Sequence, residues 1–256
     1  MNNRETVPVS EKTENPYEIK QIKDVLKLSS YPGRGIIIGQ THGGRAVLAY
    51  FIMGRSENSR NRVFVTDGDD VIINIFDKSK VKDPSLIVYA PVKTLSSPGK
   101  SEVIVTNGDQ TDTIHKFLLS GKTFEEALFT RVFEPDAPNF TPRISGMLDF
   151  SGGDFSYKLS IIKPADQGGV PVQRQFFCYS PVGGLGHFIH TYSKNGGVLP
   201  PFSGEPVRVG IPDSIEAFAS DIWGSLDGSN KISLYIRYIN PGENKYESRI
   251  FNKNTK

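Results

Sequence analysis

The sequence predicts an α+β fold in which two antiparallel sheets lie face to face with helices outside them. The predicted elements come in blocks along the 256 residues: strands, two helices, strands, one helix and strands. Such blocks favour segregated layers over alternating βαβ units, which need a helix between successive strands. Several predicted strands are apolar along their whole length, which is typical of strands buried on both faces.

The first part of the chain is predicted to form hairpins after a polar extension. Residues 1–30 are rich in Glu, Lys and Asn, with one short helix near 22–28, and we expect 31–256 to form a single domain. Two hairpins follow, with turns at 42–44 and at Asp67-Gly68, a dipeptide that hairpin turns favour. The strands predicted in this part cover residues 36–38, 46–52, 63–65, 71–75, 86–89 and 102–106.

Two predicted helices interrupt the strands. The first runs from Thr111 to Gly121, because glycine is favoured just after a helix C-terminus. The second begins at Thr123, which forms a capping-box pattern with Glu126, and it ends before Pro135. Strands then dominate, and one more helix precedes the last of them; the predicted ranges are 143–192 for strands, 213–223 for the helix, and 232–238 and 246–251 for the last strands.

Composition excludes several classes of partner. The 30 basic and 28 acidic residues give a net charge of +2, so we expect no general attraction for nucleic acid or for acidic membranes. No run of 18 apolar residues is present, and the N-terminus lacks the apolar region of a signal peptide. The one cysteine, Cys178, lies in an apolar run and is expected to be buried. These features predict a cytoplasmic protein.

Two polar segments could bind an anion. Residues 107–113 place short polar side chains between a strand and a helix N-terminus, which suits an anionic ligand, although a turn with an N-cap explains the same pattern. Residues 55–62 contain three arginines, whose guanidinium groups can bind phosphate with two hydrogen bonds. A solvated loop is the alternative for this second segment.

Two further segments could support a site. Residues 31–35 form a cationic turn just before a buried strand, and arginine in such a turn is usually exposed. Residues 134–143 contain three prolines, which stiffen a loop that carries Glu134, Asn139 and Arg143. A loop of this kind can hold a site or serve as a plain connector.

Several familiar site motifs are absent from the sequence. We find no G-x-x-x-x-G-K-[ST] loop, no strand-linked G-x-G-x-x-G and no G-x-S-x-G. The histidines have no metal-ligand spacing with cysteine, so no metal site is predicted. His187 and His190 could share a site, but a His-x-x-His pair on an irregular segment is a weak signal.

The polar segments together match a family pattern. The matching segments are Tyr31-Pro-Gly-Arg34 before an Ile-rich strand, Arg55-Ser56 with Arg60, Tyr89, N-G-x-x-T-D-T-I at 107–114, T-P-R-I at 141–144 and, as a later match, Thr191-Tyr192. With these motifs the chain resembles the archaeal-type IMP cyclohydrolase family and its bacterial relatives. The resemblance covers 31–150, whereas residues 1–30 lie outside the pattern and 195–256 align poorly with it.

This resemblance implies a function and a fold. The family closes the purine ring of 5-formamidoimidazole-4-carboxamide ribotide to give IMP and water in purine biosynthesis, without a metal or an organic cofactor. The resemblance also implies a homo-oligomer, a dimer or a tetramer, and a four-layer αββα sandwich similar to the N-terminal-nucleophile hydrolases. Those hydrolases need a free α-amino group on Cys, Ser or Thr, whereas here Tyr31 is predicted to open the fold after the extension.

A mechanism hypothesis assigns roles to individual residues. The ribose phosphate is assigned to an arginine-rich wall, with Arg34 and Arg143 as candidates. Arg60 and Tyr89 are expected to polarise the formyl oxygen or to donate to the departing water. Glu134 is expected to accept the carboxamide proton. The other predicted substrate-binding residues are Arg55, Asn107, Gly108, Asp109, Thr111 and Asp112, of which Asp112 could equally be a helix N-cap.

Two alternative functions stay open at this point. A purine-nucleotide-binding protein without catalysis would bind the ribotide but form no product. An amide hydrolase of the N-terminal-nucleophile type would be processed to expose Ser, Thr or Cys. The sequence favours neither, because the arginines and the Asn107-Gly108 corner are present while no nucleophile is found.

Overall fold

Two antiparallel sheets form the body of the computed structural model, which describes residues 15–80, 88–97, 100–150, 154–243 and 245–255. The strands are, in chain order, β1 (Arg34–Gln40), β2 (Ala46–Met53), β3 (Arg62–Asp67), β4 (Asp70–Ile75), β5 (Val92–Ser97), β6 (Lys100–Thr106), β7 (Arg143–Asp149), β8 (Ser156–Pro164), β9 (Val172–Tyr179), β10 (Leu185–His190), β11 (Val207–Gly210), β12 (Lys231–Asn240) and β13 (Lys245–Asn252). The helices are α1 (Ile22–Lys27), α2 (Glu57–Arg60), α3 (Gln110–Leu119), α4 (Phe124–Phe129) and α5 (Ile215–Ser225).

The strands divide into a six-stranded and a seven-stranded sheet. The six-stranded sheet has the order β11-β10-β1-β2-β12-β13, and the seven-stranded sheet follows the chain from β3 to β9. Neighbouring strands pair antiparallel in both sheets, for example from Arg34 opposite Ile52 to Gln40 opposite Ala46 in the first hairpin. The predicted α+β fold with two antiparallel sheets is therefore confirmed.

The main core lies between the two sheets. Alternate residues of β1, Ile36 and Ile38, point inward and pack with residues of the seven-stranded sheet such as Val105 and Leu159. Ile37, between them, belongs to a second core on the other face of the same sheet. Burial on both faces explains why these strands lack the polar alternation of a half-exposed strand.

The helices cover the outer faces of the sheets. Helices α1 and α5 pack on the six-stranded sheet, and α3 and α4 pack on the seven-stranded sheet through residues such as Ile114 and Phe124. The capping box predicted for α4 is confirmed, since the Thr123 hydroxyl accepts from the Glu126 backbone at 3.1 Å and the Glu126 carboxylate accepts from the Thr123 backbone at 2.7 Å. The α1 residues Ile22 and Leu26 are buried, although they lie in the segment that we described as an extension.

The structure differs from the sequence prediction in two local features. Of the strand predicted at 86–89, residues 86 and 87 lie outside the described residues, and Val88 and Tyr89 are not in a strand. The next strand, β5, starts beyond Pro91, which has no backbone N–H to donate. Cys178 was expected to be buried but is exposed, since it faces outward on β9, the edge strand of its sheet. In the described part of the chain, no helix is both long enough and apolar enough to cross a membrane.

The two neighbouring histidines of β10 do not share a site. The Nδ1 atom of His187 lies 2.7 Å from the Tyr157 hydroxyl in the core between the sheets, and burial followed by the charge of Arg208 lowers the pKa of His187 to about 4. His190 places its Nδ1 atom 2.8 Å from the Tyr192 carbonyl oxygen, and burial lowers its pKa to about 4. Both imidazoles are therefore neutral at pH 7.

These two histidines predict a loss of stability in mild acid. An unfolded histidine titrates near pH 6.5, so between about pH 6.5 and 4 the unfolded chain binds more protons than the folded chain. The free energy of unfolding should fall as the pH drops through this window, by at most about 3 kcal/mol for each histidine. Urea denaturation at pH 7.5, 6.5, 5.5 and 5.0 measures this fall.

The matched variant for this prediction is His187→Gln. Its free energy of unfolding should depend less steeply on pH than that of the parent chain, because one of the two groups no longer titrates. A parent protein whose stability is flat between pH 7 and 5 would contradict the assignment of two buried neutral histidines.

Candidate active site

A cavity of about 710 Å³ lies at one end of the core between the two sheets. It forms where β1, β3 and β7 begin and where β6 ends, because the antiparallel registers bring these strand ends to the same side. Its wall contains most of the predicted site residues: Arg34, Arg55, Tyr89, Asn107, Gly108, Asp109, Glu134 and Arg143.

A larger groove of about 850 Å³ lies elsewhere, along β3, β4 and the end of the chain. Its lining consists of half-buried and exposed residues such as Val63 and Asn74, and it contains none of the predicted site residues. Size alone is therefore a poor guide here. The smaller cavity is the candidate site, because charged and hydroxyl groups converge on it.

Two arginines without acidic partners define the inner wall of the cavity. Arg62 is 5% exposed, and its Nε donates to the Ser59 carbonyl oxygen at 2.7 Å. Among the described residues, the buried Arg62 Nη2 and Arg34 Nε atoms have no hydrogen-bond partner, and neither side chain forms an ion pair. Burial, followed by the positive charge of Arg34, lowers the pKa of Arg62. Buried charge of one sign is costly, so this wall is suited to an anionic or strongly polar ligand.

A pair of tyrosines lies beside these arginines. The hydroxyl oxygens of Tyr50 and Tyr89 are 3.2 Å apart. Tyr50 is fully buried, whereas Tyr89 is partly exposed and lines the cavity. Both phenols interact electrostatically with Arg34 and Arg62. Hydrogen-bond donors are therefore concentrated in this part of the site.

The opposite wall carries a compensated cation. The Arg143 Nη1 atom lies 2.8 Å from Asp109 Oδ1, 2.6 Å from Gln110 Oε1 and 3.0 Å from Glu134 Oε1, and its Nε donates to the Val132 carbonyl oxygen at 2.7 Å. Asp109 also accepts from Arg131 at 2.6 Å. The pKa of Asp109 is lowered, because partial burial, which alone would raise it, is outweighed by the Arg131 and Arg143 guanidinium groups.

The Asn107-Gly108 corner is shaped by close packing. The side-chain oxygen Oδ1 of Asn107 accepts hydrogen bonds from the Ile144 backbone N–H and from Gln110 Nε2, both at 2.9 Å. These bonds join the end of β6 to the start of β7. A Cβ atom at Gly108 would come within 2.7 Å of Arg143 Nη1 and 2.6 Å of Gln110 Oε1. A side chain at this position would therefore displace the ends of Arg143 and Gln110.

Comparison with known proteins identifies the family. The sequence pattern of the family described as "IMP cyclohydrolase-like protein" matches residues 31–244. This chain belongs to the IMP cyclohydrolase-like protein family. The resemblance inferred from the motifs is therefore confirmed.

Two relatives of the family show how far the similarity extends. The chain is 30% identical over 120 residues to the IMP cyclohydrolase of Methanocaldococcus jannaschii, which covers 46% of this chain and 57% of the relative. It is 33% identical over 125 residues to the IMP cyclohydrolase of Methanopyrus kandleri, which covers 46% of this chain and 59% of the relative. The chain thus spans somewhat more than half the length of these relatives.

Three predicted site residues of this family member lie outside the cavity wall. Arg60 donates from Nε to the Gly54 carbonyl oxygen at 3.1 Å and from Nη2 to Asn230 at 3.3 Å. Thr111 is buried, with its hydroxyl 2.7 Å from that of Thr106. Asp112 pairs with Lys93 at 2.6 Å and lies in the first turn of α3, so it is not the N-cap, a position that Asp109 occupies.

Sequence reasoning missed Arg62, although the strand period could have found it. Arg62 begins β3, and Phe64, two residues later, points into the core between the sheets. Because side chains two apart on a strand share a face, Arg62 points the same way as Phe64, whereas Arg60 belongs to the preceding helical turn α2. Of Arg60 and Arg62, it is therefore Arg62 that reaches the cavity.

An aromatic and hydroxyl wall was also missed. Tyr31 and Tyr192 stack with ring centroids 5.9 Å apart, and the Arg55 guanidinium lies 4.9 Å from the Tyr31 ring centroid. The Thr141 hydroxyl lies 2.6 Å from the Tyr192 hydroxyl and 2.5 Å from Asp136. Tyr31 and Thr141 belong to the family motifs, but their contact through Tyr192 spans distant parts of the chain. In the described part of the chain, no group of three or more His, Cys, Asp or Glu side chains comes together as metal ligands.

The compensated wall predicts unequal effects of two arginine substitutions. Arg143→Met removes the positive charge that pairs with the carboxylates of Asp109 and Glu134. Because the Arg143 side chain is only 8% exposed, the free energy of unfolding should fall by about 2–3 kcal/mol. The matched control is Arg131→Met, whose side chain is 23% exposed and whose pair with Asp109 should contribute about 1 kcal/mol or less. Urea denaturation of both variants measures the difference; equal losses would contradict the central position of Arg143.

Proposed function

We propose that the chain is an IMP cyclohydrolase, which closes the ring of 5-formamidoimidazole-4-carboxamide ribotide to IMP with loss of water. The observation that supports this most strongly is the arrangement of the cavity. Two arginines without acidic partners lie beside Tyr89 on one wall, and the carboxylate of Glu134 lines the same cavity. A site with hydrogen-bond donors and a carboxylate suits a reaction in which an oxygen gains charge while a nitrogen loses a proton.

The fold supports the same proposal. Helices on the outer faces of two packed sheets suit a four-layer αββα sandwich similar to the N-terminal-nucleophile hydrolases. We propose 31–256 as a single domain of this kind, on which helix α1 of the preceding segment 1–30 packs. The start of β1 carries Arg34, whose backbone N–H donates to the Thr191 hydroxyl at 3.1 Å. The Arg34 nitrogen is a peptide amide in this structure, whereas an N-terminal nucleophile carries a free α-amino group.

The proposed chemistry begins with attack of the carboxamide nitrogen on the formyl carbon. As the C–N bond forms, the formyl oxygen gains negative charge, and Arg62 with Tyr89 donates hydrogen bonds to it; Arg62 thus takes the role that we predicted for Arg60. Glu134 accepts the proton that the nitrogen loses. The carbinol oxygen then leaves as water after it receives a proton, while the former formamide nitrogen loses its hydrogen and forms the C=N bond of the ring. The two protons lost by the nitrogens thus leave with the oxygen as water, and Tyr89 is positioned to donate to this oxygen. Arg34 and Arg55 are our candidates for the ribose phosphate.

The expected magnitudes favour positioning and oxyanion stabilisation as the main sources of rate. Holding the two reacting groups in attack geometry can lower the barrier by roughly 7–11 kcal/mol in good cases. Loss of one donor to a developing oxyanion costs about 3 kcal/mol. A cavity with rigid walls is needed for both effects, and Arg62 on β3 and Asn107 at the end of β6 are held by strands.

The proposal predicts that Arg62 and Arg60 differ sharply. With the purified chain and the formamido ribotide, IMP formation followed by absorbance and chromatography should fall about 100-fold or more in Arg62→Ala. The matched control, Arg60→Ala, should stay within about threefold of the parent, because Arg60 points away from the cavity. The reverse order of effects would contradict our assignment.

Two further measurements on the purified chain separate the alternative functions. Ribotide binding by calorimetry without IMP formation would identify a catalytically silent nucleotide-binding protein. A chain shortened to an N-terminal Ser, Thr or Cys in intact-mass spectrometry would identify an amide hydrolase of the N-terminal-nucleophile type. Either result would overturn the cyclohydrolase proposal.

A further inference from the structure

We propose that Tyr50 is a positioning residue, which donates its hydroxyl hydrogen to Tyr89 and thereby leaves the Tyr89 hydroxyl hydrogen free to point into the cavity. This inference rests on the proposed function of the cavity. Tyr50 does not line the cavity and belongs to none of the sequence motifs. Its connection to the cavity is the hydroxyl contact with Tyr89.

The Tyr50 side chain is held rigidly. It lies in the middle of β2, points into the core between the sheets and is 0% exposed. Its ring stacks on Phe64 with centroids 5.6 Å apart. Its backbone is paired on both sides, with Ile36 of β1 and with Tyr235 of β12. The Tyr50 hydroxyl is therefore held in a fixed position next to the Tyr89 hydroxyl.

The direction of the hydrogen bond follows from the neighbours of Tyr50. Within the described residues, the hydrogen-bond contact of its hydroxyl is the Tyr89 oxygen at 3.2 Å. The other polar groups that act on Tyr50 are the guanidinium groups of Arg34 and Arg62, which donate hydrogen bonds and cannot accept them. A buried hydroxyl hydrogen without an acceptor costs about 1–3 kcal/mol, so Tyr50 donates and Tyr89 accepts.

The protonation state of Tyr50 agrees with this direction. Burial, followed by the neighbouring Tyr89, raises the pKa of Tyr50 well above the ordinary tyrosine value. The opposing influence of Arg34 and Arg62 is smaller. Tyr50 therefore keeps its hydrogen throughout the physiological pH range, and it is a permanent donor to Tyr89.

The consequence for the reaction concerns the direction of one hydrogen. A phenol carries a single O–H hydrogen, and because Tyr50 donates to Tyr89, the hydroxyl hydrogen of Tyr89 is not used in the bond between them. The cavity is the open side of Tyr89, so its hydrogen points toward the oxygen that must leave as water. Without Tyr50, the Tyr89 hydroxyl loses the bond that fixes its orientation, and the reaction loses a preorganised donor.

The test is a double-mutant cycle. Tyr50→Phe should lower kcat for IMP formation by about tenfold with KM within about twofold, because the lost donor acts on the transition state. Tyr89→Phe should lower kcat at least as much. The double variant should be no slower than Tyr89→Phe alone, since Tyr50 acts through Tyr89. The matched control is Tyr157→Phe, which removes another buried hydroxyl of the same core, one that bonds to His187 and not to the cavity.

Three kinetic results would overturn the inference. One is an unchanged kcat in Tyr50→Phe. Another is a double variant in which the two losses multiply, because independent losses would mean that Tyr50 does not act through Tyr89. A loss of kcat in Tyr157→Phe as large as that in Tyr50→Phe would also overturn it, since the effect would then reflect general loosening of the core.

A spectroscopic measurement separates this inference from the proposed function. In protein labelled with ¹³C at the tyrosine ζ carbon, the Tyr89 resonance is identified by its loss in Tyr89→Phe. It should move in Tyr50→Phe and stay in place in Tyr157→Phe. An unmoved resonance in Tyr50→Phe overturns the hydrogen bond. A wild-type chain that forms no IMP but shows the expected movement refutes the cyclohydrolase proposal and leaves the Tyr50–Tyr89 pair established.

Discussion

The uncompensated positive charge of Arg34 and Arg62 is the constraint on which the site depends. Both guanidinium groups lie at the end of an apolar core, and each has a buried nitrogen without a hydrogen-bond partner in the described residues. Such an arrangement costs free energy in the folded chain, and packing of two large sheets around it offsets that cost. The strain is local, and it falls where a polar ligand can relieve it.

The two walls of the cavity solve the problem of buried charge in different ways. On the inner wall, Arg62 is anchored by one backbone carbonyl and has no acidic partner among the described residues. On the opposite wall, Arg143 is surrounded by Asp109, Gln110 and Glu134, so that its charge is already balanced. The cavity is therefore polarised across its width, from a cationic side to a side that holds an ionisable carboxylate. A ligand with a negative end and an amide end fits such a gradient in one orientation.

The sequence predicted the features that are encoded locally. Apolar runs identified β1 and β2, and the Thr123 to Glu126 spacing identified the cap of α4, because neighbouring residues alone decide these features. Strand β5 was missed because its exposed serines, Ser96 and Ser97, hide its pairing with β6. Cys178 was misassigned because an apolar run does not reveal which strand ends up at a sheet edge.

Site residues were predictable where they belong to motifs and less so where distant segments meet. The Asn107-Gly108 corner and Arg143 could be read from their spacing, and they do meet in the structure. Tyr50 read as an ordinary core residue, since nothing in β2 shows that the hydroxyl of Tyr89 comes to lie above it. Contacts of this kind depend on the registers of two sheets, which a single sequence does not specify.

Because the walls of the cavity come from both sheets, ligand binding is coupled to the stability of the whole fold. Arg34 belongs to the six-stranded sheet, whereas Arg62 and Arg143 belong to the seven-stranded sheet, so a bound molecule that contacts them joins the two layers. The separated strands of an unfolded chain cannot form this cavity. A ligand at 100 times its dissociation constant should therefore raise the global unfolding free energy by about 2.7 kcal/mol. The melting temperature of the protein therefore reports which compounds bind between its sheets.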